Sequence, residues 1–278
     1  MLQIRAAVFA SVAYHLQIII IAMQKRRTNL YNSNSKEPFN VSRSKIALFL
    51  ECPQCFYLDR RLGIARPDMP GWSLNSAVDT LLKNEFDLLR EQKRPHQLMV
   101  DYNINAVPFS HPDFALWRDD SNKKIGAGVL HKDTNLNIHG IIDDLWIDIK
   151  NQELYIVDYK STSTDYPISL DSKYKEGYKR QMEVYQWIFK RMGFLVSNTG
   201  YFLFANATKK RPGFHGKLEF ETSIIPYRGD ISWVDQAAAD IKLALESNKI
   251  PESGKDCQYC GYRKLIQNES LKNQMSLI

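Results

Sequence analysis

The sequence predicts an α/β fold in which a sheet is flanked by helices. In several segments apolar residues recur at three- and four-residue intervals, which is the period of a helix with one buried face. The middle of the chain is instead rich in β-branched and aromatic residues, which favour strands. With 278 residues, 44% of them hydrophobic, the chain can bury a large core as one elaborated domain or two small ones.

Two helices are predicted before the middle of the chain. Ser42 supplies a hydroxyl cap for a short helix that ends near Cys52. A longer helix is predicted over residues 75–92. Its apolar face consists of Val78, Leu81, Leu82, Phe86 and Leu89. Residues 66–71 contain two prolines and form the loop between these helices, whereas residues 94–122 have an irregular, partly helical pattern.

The middle of the chain predicts an antiparallel hairpin. Its strands cover residues 136–149 and 154–159, and residues 150–152 form the turn between them. Four further elements are predicted after the hairpin from the same periods. They are a helix over 173–192, strands over 200–205 and 217–225, and a helix over 232–245. This order of elements is typical of a sheet covered by helices.

The stretch 8–23 is the most apolar part of the sequence, and it is interrupted by His15 and Gln17. It is shorter than the ~20 residues that a membrane-spanning helix needs, and no small-residue cleavage site of a secretory signal follows it. Met23 opens a polar run that is typical of a natural amino terminus, so translation is predicted to start there. We therefore predict a leader over residues 1–40 and a cytoplasmic protein that does not enter a membrane.

The charge of the chain is basic but dispersed. Lys and Arg number 37 against 31 Asp and Glu, which gives a net charge of +6 and an isoelectric point near 9.0. This balance favours a polyanionic partner such as nucleic acid. The basic residues form no long tail, so folding has to assemble any surface that binds such a partner.

A carboxylate and an amine are predicted on one face of the second hairpin strand. A period of two places Asp158 and Lys160 on the same side, and the partner strand brings Asp143 close to them. Two converging carboxylates repel each other unless a cation lies between them, and Mg²⁺ or Mn²⁺ binds such oxygen ligands. This set suits phosphodiester hydrolysis, in which the ion activates water and Lys160 stabilises developing negative charge. A structural ion pair between Asp158 and Lys160 is the alternative.

Other polar residues near these positions receive different interpretations. Asp144 is the rival of Asp143, but adjacent residues of a strand face opposite sides of the sheet, which favours Asp143. Glu183 and Gln186 are predicted on the solvated face of a helix, and His139 is predicted to be structural.

Three short motifs together resemble the RecB-like branch of the PD-(D/E)XK nucleases. They are Gly140-Ile-Ile-Asp143, Ile156-Val-Asp158-Tyr-Lys160 and Gln181-Met-Glu-Val-Tyr185, and their order and spacing match those of the family. The resemblance implies a restriction-endonuclease-like core with a central mixed sheet over residues 41–265, followed by a tail over 266–278. It implies DNA, single-stranded or with free ends, as the substrate in repair, recombination or CRISPR-type processing. The catalytic residues that it implies are Asp143, Asp158, Lys160, Gln181 and Tyr185, with Asp143 and Asp158 as metal ligands.

One position departs from the RecB-like pattern. Such nucleases carry a metal-binding histidine on the helix before the core, and Asp79 stands at that position. Because an aspartate is a competent oxygen ligand for a hard cation, Asp79 is carried over as a metal ligand. The same departure fits a weaker or altered activity. The alternative function is therefore a non-catalytic protein that binds nucleic acid or acts as a scaffold on the same fold.

The four cysteines form two pairs, Cys52-Pro-Gln-Cys55 and Cys257-Gln-Tyr-Cys260. Two Cys-x-x-Cys pairs far apart in the sequence predict one metal site that clasps the amino-terminal helix to the carboxyl-terminal tail. Zinc and a [4Fe–4S] cluster both accept four cysteines, and the spacing does not decide between them. A resemblance to CRISPR-associated exonucleases favours the cluster, although those relatives usually have a further cysteine downstream, which keeps zinc as the alternative.

Overall fold

The structure is a computed structural model that describes residues 28–67, 71, 73–118 and 125–275. The apolar stretch 8–23 and the predicted start at Met23 lie outside these residues, so the expectations about the leader stay predictions.

The described residues form eight strands and eight helices. The strands are β1 Phe39–Ser42, β2 Ala106–Pro108, β3 Ala127–His131, β4 Leu136–Gly140, β5 Asp144–Asp148, β6 Leu154–Thr162, β7 Thr199–Ala207 and β8 Phe220–Arg228. The helices are α1 Arg43–Glu51, α2 Pro53–Arg60, α3 Ser73–Gln92, α4 Gln97–Asp101, α5 Phe114–Trp117, α6 Glu176–Arg191, α7 Val234–Glu246 and α8 Gln258–Met275.

The strands form two mixed sheets. The smaller sheet has the order β1-β4-β3, in which β1 is parallel and β3 antiparallel to β4. The larger sheet has the order β2-β5-β6-β7-β8, in which β6 and β7 are the parallel pair. The predicted α/β fold with a mixed sheet and flanking helices is confirmed. The smaller sheet was not predicted, because β1 has only four residues and β3 begins with Ala-Gly, so both segments give a weak strand signal.

The prediction of a single strand over residues 136–149 is wrong. Leu136–Gly140 belongs to the smaller sheet and Asp144–Asp148 to the larger one, so residues 141–143 carry the chain from one sheet to the other. Composition does not reveal this crossing, since both segments contain apolar residues that favour strands. The hairpin itself is confirmed, because β5 and β6 pair in antiparallel fashion.

The larger sheet has apolar clusters on both of its faces. On one face, Val157 and Tyr159 of β6 pack in a cluster with Phe86 of α3. On the opposite face, Ile156 packs in a cluster with Met182 of α6. Because side chains alternate along a strand, the even-numbered residues of β6 point toward α6. This alternation decides which side of the sheet carries the site.

Helix α6 is buried more extensively than its sequence predicts. Glu183 and Gln186, which were predicted on a solvated face, are both buried, so that prediction is wrong. Glu183 accepts hydrogen bonds from Trp233 Nε1 at 2.8 Å and from the hydroxyl of Tyr227. Gln186 Nε2 donates to the carbonyl oxygen of Asn198 at 2.8 Å. Helix α6 packs against strands of both sheets and against α7, which buries these polar side chains inside the protein. Among the described residues, Gln186 Oε1 has no hydrogen-bond partner.

The remaining differences from prediction concern boundaries and one helix face. Leu81, predicted on the apolar face of α3, is 67% exposed. The last strand lies three residues later than the predicted 217–225. Helix α2 begins directly after Cys52, because a proline is tolerated in the first turn of a helix. Helix α8 continues into the predicted tail over 266–278.

Within the described ranges, no helix has both the length and the apolar character needed to cross a membrane.

Candidate active site and cysteine cluster

A cleft of about 940 Å³ opens beside α3, α6 and the carboxyl end of β6. Among the residues that line it are four of the predicted site residues, namely Asp79, Asp143, Lys160 and Gln181. These residues come from separate elements of the chain, and the fold brings them to one place. The two other predicted residues of the site, Asp158 and Tyr185, are buried behind the cleft wall.

Asp158 is the innermost carboxylate of this group and is fully buried in β6. Lys160, on the same face of the strand, forms an ion pair with its Oδ2 atom. Gln181 Nε2 donates to its Oδ1 atom at 2.5 Å. Burial by itself would lower the pKa of Lys160, but the charges of Asp158 and Asp143 outweigh that effect and raise it. The amine therefore stays charged at neutral pH.

Asp143 reaches the cleft from the segment that connects β4 to β5. Its Oδ2 atom accepts a hydrogen bond from the backbone N–H of Tyr159 at 2.8 Å, and its Oδ1 atom lies 3.6 Å from Lys83 Nζ. Burial and the charge of Asp158 raise the pKa of Asp143 to about 6, although Lys160 and Lys83 oppose the shift. Two carboxylates that repel each other in this way are stabilised by a cation between them.

Tyr185 holds the segment that carries Asp143. Its hydroxyl donates to the carbonyl oxygen of Ile141 at 2.5 Å. Gly140 makes room for the ring, since a Cβ atom at this position would lie 2.7 Å from Tyr185 Cε1. Gln181 and Tyr185 are one helical turn apart, so α6 contacts both β6 and the connecting segment with one face. Gln181 therefore contacts Asp158 directly, and Tyr185 contacts the segment that carries Asp143.

Asp79 lies on α3 at the edge of the cleft and is paired with a lysine. Lys83 Nζ is 2.8 Å from Asp79 Oδ2 and also approaches Asp143. Lys83 was not predicted from the sequence, although its position one helical turn after Asp79 was an available signal. Arg43 was not predicted either; it lines the cleft from the start of α1, and no sequence pattern pointed to it.

Asp144 faces away from the cleft, as the alternation of side chains predicts. Its carboxylate accepts a hydrogen bond of 2.6 Å from the hydroxyl of Tyr159 and forms an ion pair with Arg90 of α3. Burial raises the pKa of Asp144, and the charge of Arg90 opposes that shift. His139 likewise has a structural contact, at 2.8 Å from the carbonyl oxygen of Ile125.

The carboxylates of the cleft fit a hard divalent cation. Asp143 and Asp158 supply the oxygen ligands that Mg²⁺ and Mn²⁺ prefer, and their mutual repulsion is relieved by a positive ion. In the part of the chain that the structure describes, these two residues and Asp79 do not form a set of ligand atoms within 4.8 Å of one another. Lys83 is paired with Asp79 Oδ2, so an ion shared by all three carboxylates would compete with this amine for Asp79.

The four cysteines meet in one buried cluster, as their pairing in the sequence predicted. None of them forms a disulfide. The Sγ atoms of Cys52 and Cys260 are 3.7 Å apart, those of Cys55 and Cys257 are 3.7 Å apart, and those of Cys55 and Cys260 are 3.6 Å apart. Four thiols at these distances can bind a metal, and the cluster joins the start of α2 to the start of α8.

Backbone groups and one arginine surround the sulfur atoms. The N–H groups of Gly254 and Cys55 lie 3.2 and 3.5 Å from Cys52 Sγ. Burial raises the pKa of the Cys52 thiol, but these donors and the neighbouring thiols of Cys257 and Cys55 together outweigh burial and lower that pKa to about 7. A Cβ atom at Gly254 would lie 2.0 Å from a carbonyl oxygen of α1, so this close approach requires glycine. Arg66 Nη2 is 3.3 Å from Cys257 Sγ, and no sequence pattern had pointed to it.

Comparison with known proteins identifies a family and a solved structure to which the chain is similar. The sequence profile described as the PD-(D/E)XK nuclease superfamily matches residues 73–265, well over half of the chain. No curated protein matches the chain. A solved structure titled "Crystal structure of SSO0001" is 15% identical, with 79% of this chain and 82% of that chain covered and a TM-score of 0.32. The profile match confirms the resemblance found in the motifs, and the RecB-like branch is consistent with it. The chain belongs to the PD-(D/E)XK nuclease superfamily.

Proposed function

We propose that the protein is a metal-dependent nuclease that hydrolyses DNA phosphodiester bonds, as an exonuclease on single-stranded DNA or on DNA with free ends. The observation that carries the proposal is the convergence of Asp143 and Lys160 at one cleft, with Asp158 buried directly behind them and paired with Lys160. Membership of the nuclease superfamily supports a nucleic-acid substrate. The activity would serve repair, recombination or CRISPR-type processing in the cytoplasm, a compartment in which free thiols persist.

Each residue of the site has a distinct role in this proposal. Asp143 and Asp158 would hold Mg²⁺ or Mn²⁺, which when bound supplies Lewis-acid chemistry at the phosphate. The charged amine of Lys160 would orient the attacking water and stabilise the negative charge that develops on the phosphate oxygens. Gln181 and Tyr185 would keep the two carboxylates in position, since each contacts the chain segment that carries one of them.

The cleft also suits a polyanion. Arg43 lines its wall, and a guanidinium group matches the geometry of a phosphate better than an ammonium group does. The net charge of +6 adds a general attraction for DNA that weakens as salt concentration rises.

DNA hydrolysis by matched variants tests the proposal. End-labelled single-stranded and double-stranded DNA would be incubated with wild type, Asp158→Asn, Lys160→Met and the control Asp165→Asn in the presence of Mg²⁺ or Mn²⁺. Asp165 is an exposed carboxylate that pairs with Lys209 on the surface. We expect Asp158→Asn and Lys160→Met to lose roughly 100-fold or more of the rate, and the control to keep it. Equal hydrolysis rates in all four proteins would contradict the proposal.

A second candidate is a protein that binds nucleic acid, or acts as a scaffold, without hydrolysing it. The position of the Lys83 ammonium near both Asp79 and Asp143 favours this candidate, because a fixed amine can neutralise the carboxylates without a metal ion. Binding of DNA by the wild type with no hydrolysis in Mg²⁺ or Mn²⁺ would select it over the nuclease.

A further inference from the structure

The spacing of the four cysteine sulfurs distinguishes between the metal groups that four cysteines can hold. In a tetrahedral zinc site all sulfurs bind the same ion, and Zn–S bonds of about 2.3 Å place the sulfurs about 3.8 Å apart. The separations here are 3.7 Å for Cys52 and Cys260, 3.7 Å for Cys55 and Cys257, and 3.6 Å for Cys55 and Cys260. All three agree closely with the edge of such a tetrahedron.

A [4Fe–4S] cluster needs a wider arrangement of sulfurs. Each cysteine then binds a different iron atom, so the four sulfurs surround the whole cluster and not a single ion. The four sulfurs of this protein all lie within 4.8 Å of one another. To hold a cluster, the loops that carry Cys52 and Cys257 would have to move apart. We propose that the four cysteines hold one tetrahedral zinc ion and that Arg66 stabilises its thiolates as a positioning residue.

The chemistry of the site agrees with zinc in a structural role. Four thiolates form a closed ligand set that leaves no open position for a water molecule or a substrate, as in structural zinc sites. All four cysteines are buried. The ion would link the start of α2 to the start of α8, which are about 200 residues apart in the sequence. A cross-link between residues so far apart strongly restricts the conformations of the unfolded chain.

Arg66 supplies positive charge where this site needs it. Four thiolates outweigh the charge of one Zn²⁺ ion, and a buried net charge is unfavourable unless a counter-charge lies beside it. Arg66 Nη2 lies 3.3 Å from Cys257 Sγ, and its guanidinium carbon lies 4.5 Å from the ring centre of Tyr259. An ion pair of 2.9 Å with Glu51 of α1 fixes the other side of the guanidinium. The Arg66 side chain is therefore held against the cluster by Glu51, next to the first cysteine pair, and by Cys257 and Tyr259 of the second pair.

The metal content of the full chain tests the zinc assignment independently of nuclease activity. The protein would be produced with both zinc and iron in the medium, purified without oxygen, and analysed by elemental mass spectrometry and visible absorption. We expect one zinc ion per chain and a colourless sample. Four iron atoms with acid-labile sulfide and a brown sample would overturn the proposal, and so would a single iron atom in place of zinc.

The role of Arg66 is tested by the rate at which zinc is released to a coloured chelator. We expect Arg66→Met to lose zinc roughly 10-fold faster or more, with Arg66→Lys between it and the wild type. Arg94→Met, which removes the charge of an exposed arginine, is the matched control and is expected to release zinc at the wild-type rate. Circular dichroism shows whether each variant is folded before release begins. Identical release from Arg66→Met and wild type would overturn the assignment of Arg66.

Discussion

The side-chain amide of Gln181 in α6 donates a hydrogen bond of 2.5 Å to the buried carboxylate of Asp158 in β6. This contact joins a helix on one face of the larger sheet to the strand that also carries Lys160. Because the carboxylate has one oxygen on the amide and the other on the amine, its orientation is fixed before any ion binds. The geometry of the site therefore depends on α6 as much as on the strand.

Removal of this amide is expected to weaken metal binding without unfolding the protein. In Gln181→Ala, Asp158 loses one of its two partners, so we expect about tenfold weaker Mn²⁺ binding and a matching loss of hydrolysis at low Mn²⁺. Excess Mn²⁺ should restore part of the rate. The control is Gln236→Ala, which removes a glutamine that donates to Asp240 on an exposed helix face. Hydrolysis by Gln181→Ala that does not respond to Mn²⁺ concentration would argue against a positioning role.

Lys83 is expected to compete with the cation for Asp79 and Asp143. Its ammonium is 2.8 Å from one carboxylate and 3.6 Å from the other. We expect Lys83→Met to bind Mn²⁺ several-fold more tightly in calorimetric titration, because a positive charge next to the ligands is removed. Lys179→Met, which breaks a surface ion pair with Glu176, should leave the affinity unchanged. Weaker binding in Lys83→Met would mean that the amine supports the metal site.

Gly140 is expected to be intolerant of a side chain. A Cβ atom there would lie 2.7 Å from the ring of Tyr185, so Gly140→Ala should lower the free energy of unfolding by about 1–3 kcal/mol. Gly177 in α6 is the matched control, because a Cβ atom there meets nothing within 4 Å. Gly177→Ala should raise the free energy of unfolding by up to about 1 kcal/mol. Urea denaturation measures both changes, and similar values for the two variants would refute the close-packing explanation.

The raised pKa of Asp143 predicts a specific pH dependence of stability in the absence of metal. An aspartate in the unfolded chain titrates at about pH 4, whereas Asp143 in the folded protein titrates at about pH 6. Between these two values the folded protein binds a proton on Asp143 that the unfolded chain has lost. The contribution of Asp143 to the free energy of unfolding therefore falls as pH rises through this window. In EDTA, Asp143→Asn should be more stable than wild type at pH 7, by about 1–3 kcal/mol. The difference should shrink toward pH 4, and a difference that grows at low pH would contradict the predicted shift.

The alternation of residues along a strand was sufficient to predict much of the candidate site. It placed Asp158 and Lys160 on one face of β6, because a period of two is a local property that the sequence displays directly. The same argument chose Asp143 over Asp144, although Asp143 lies in the segment between β4 and β5 and not in a strand. The two Cys-x-x-Cys pairs likewise predicted the cysteine cluster, since two such pairs supply the four sulfur ligands of one metal site.

Other features depend on partners that are distant in the sequence. The crossing between β4 and β5 follows from which strands pair, and composition does not encode that choice. Glu183 and Gln186 were misplaced because a polar residue on a helix is solvated unless a second element covers it, and here α6 packs against both sheets and α7. Arg66 could not be predicted, because its contacts with Cys257 and Tyr259 exist only after the two ends of the fold meet.

The most direct test of the central claim is a crystal structure of the protein soaked in Mn²⁺, with anomalous diffraction used to locate the ion. We expect a manganese peak within bonding distance of carboxylate oxygens of both Asp143 and Asp158, with Lys160 beside it. A cleft that stays free of manganese at a saturating concentration, or a peak bound to neither carboxylate, would contradict it.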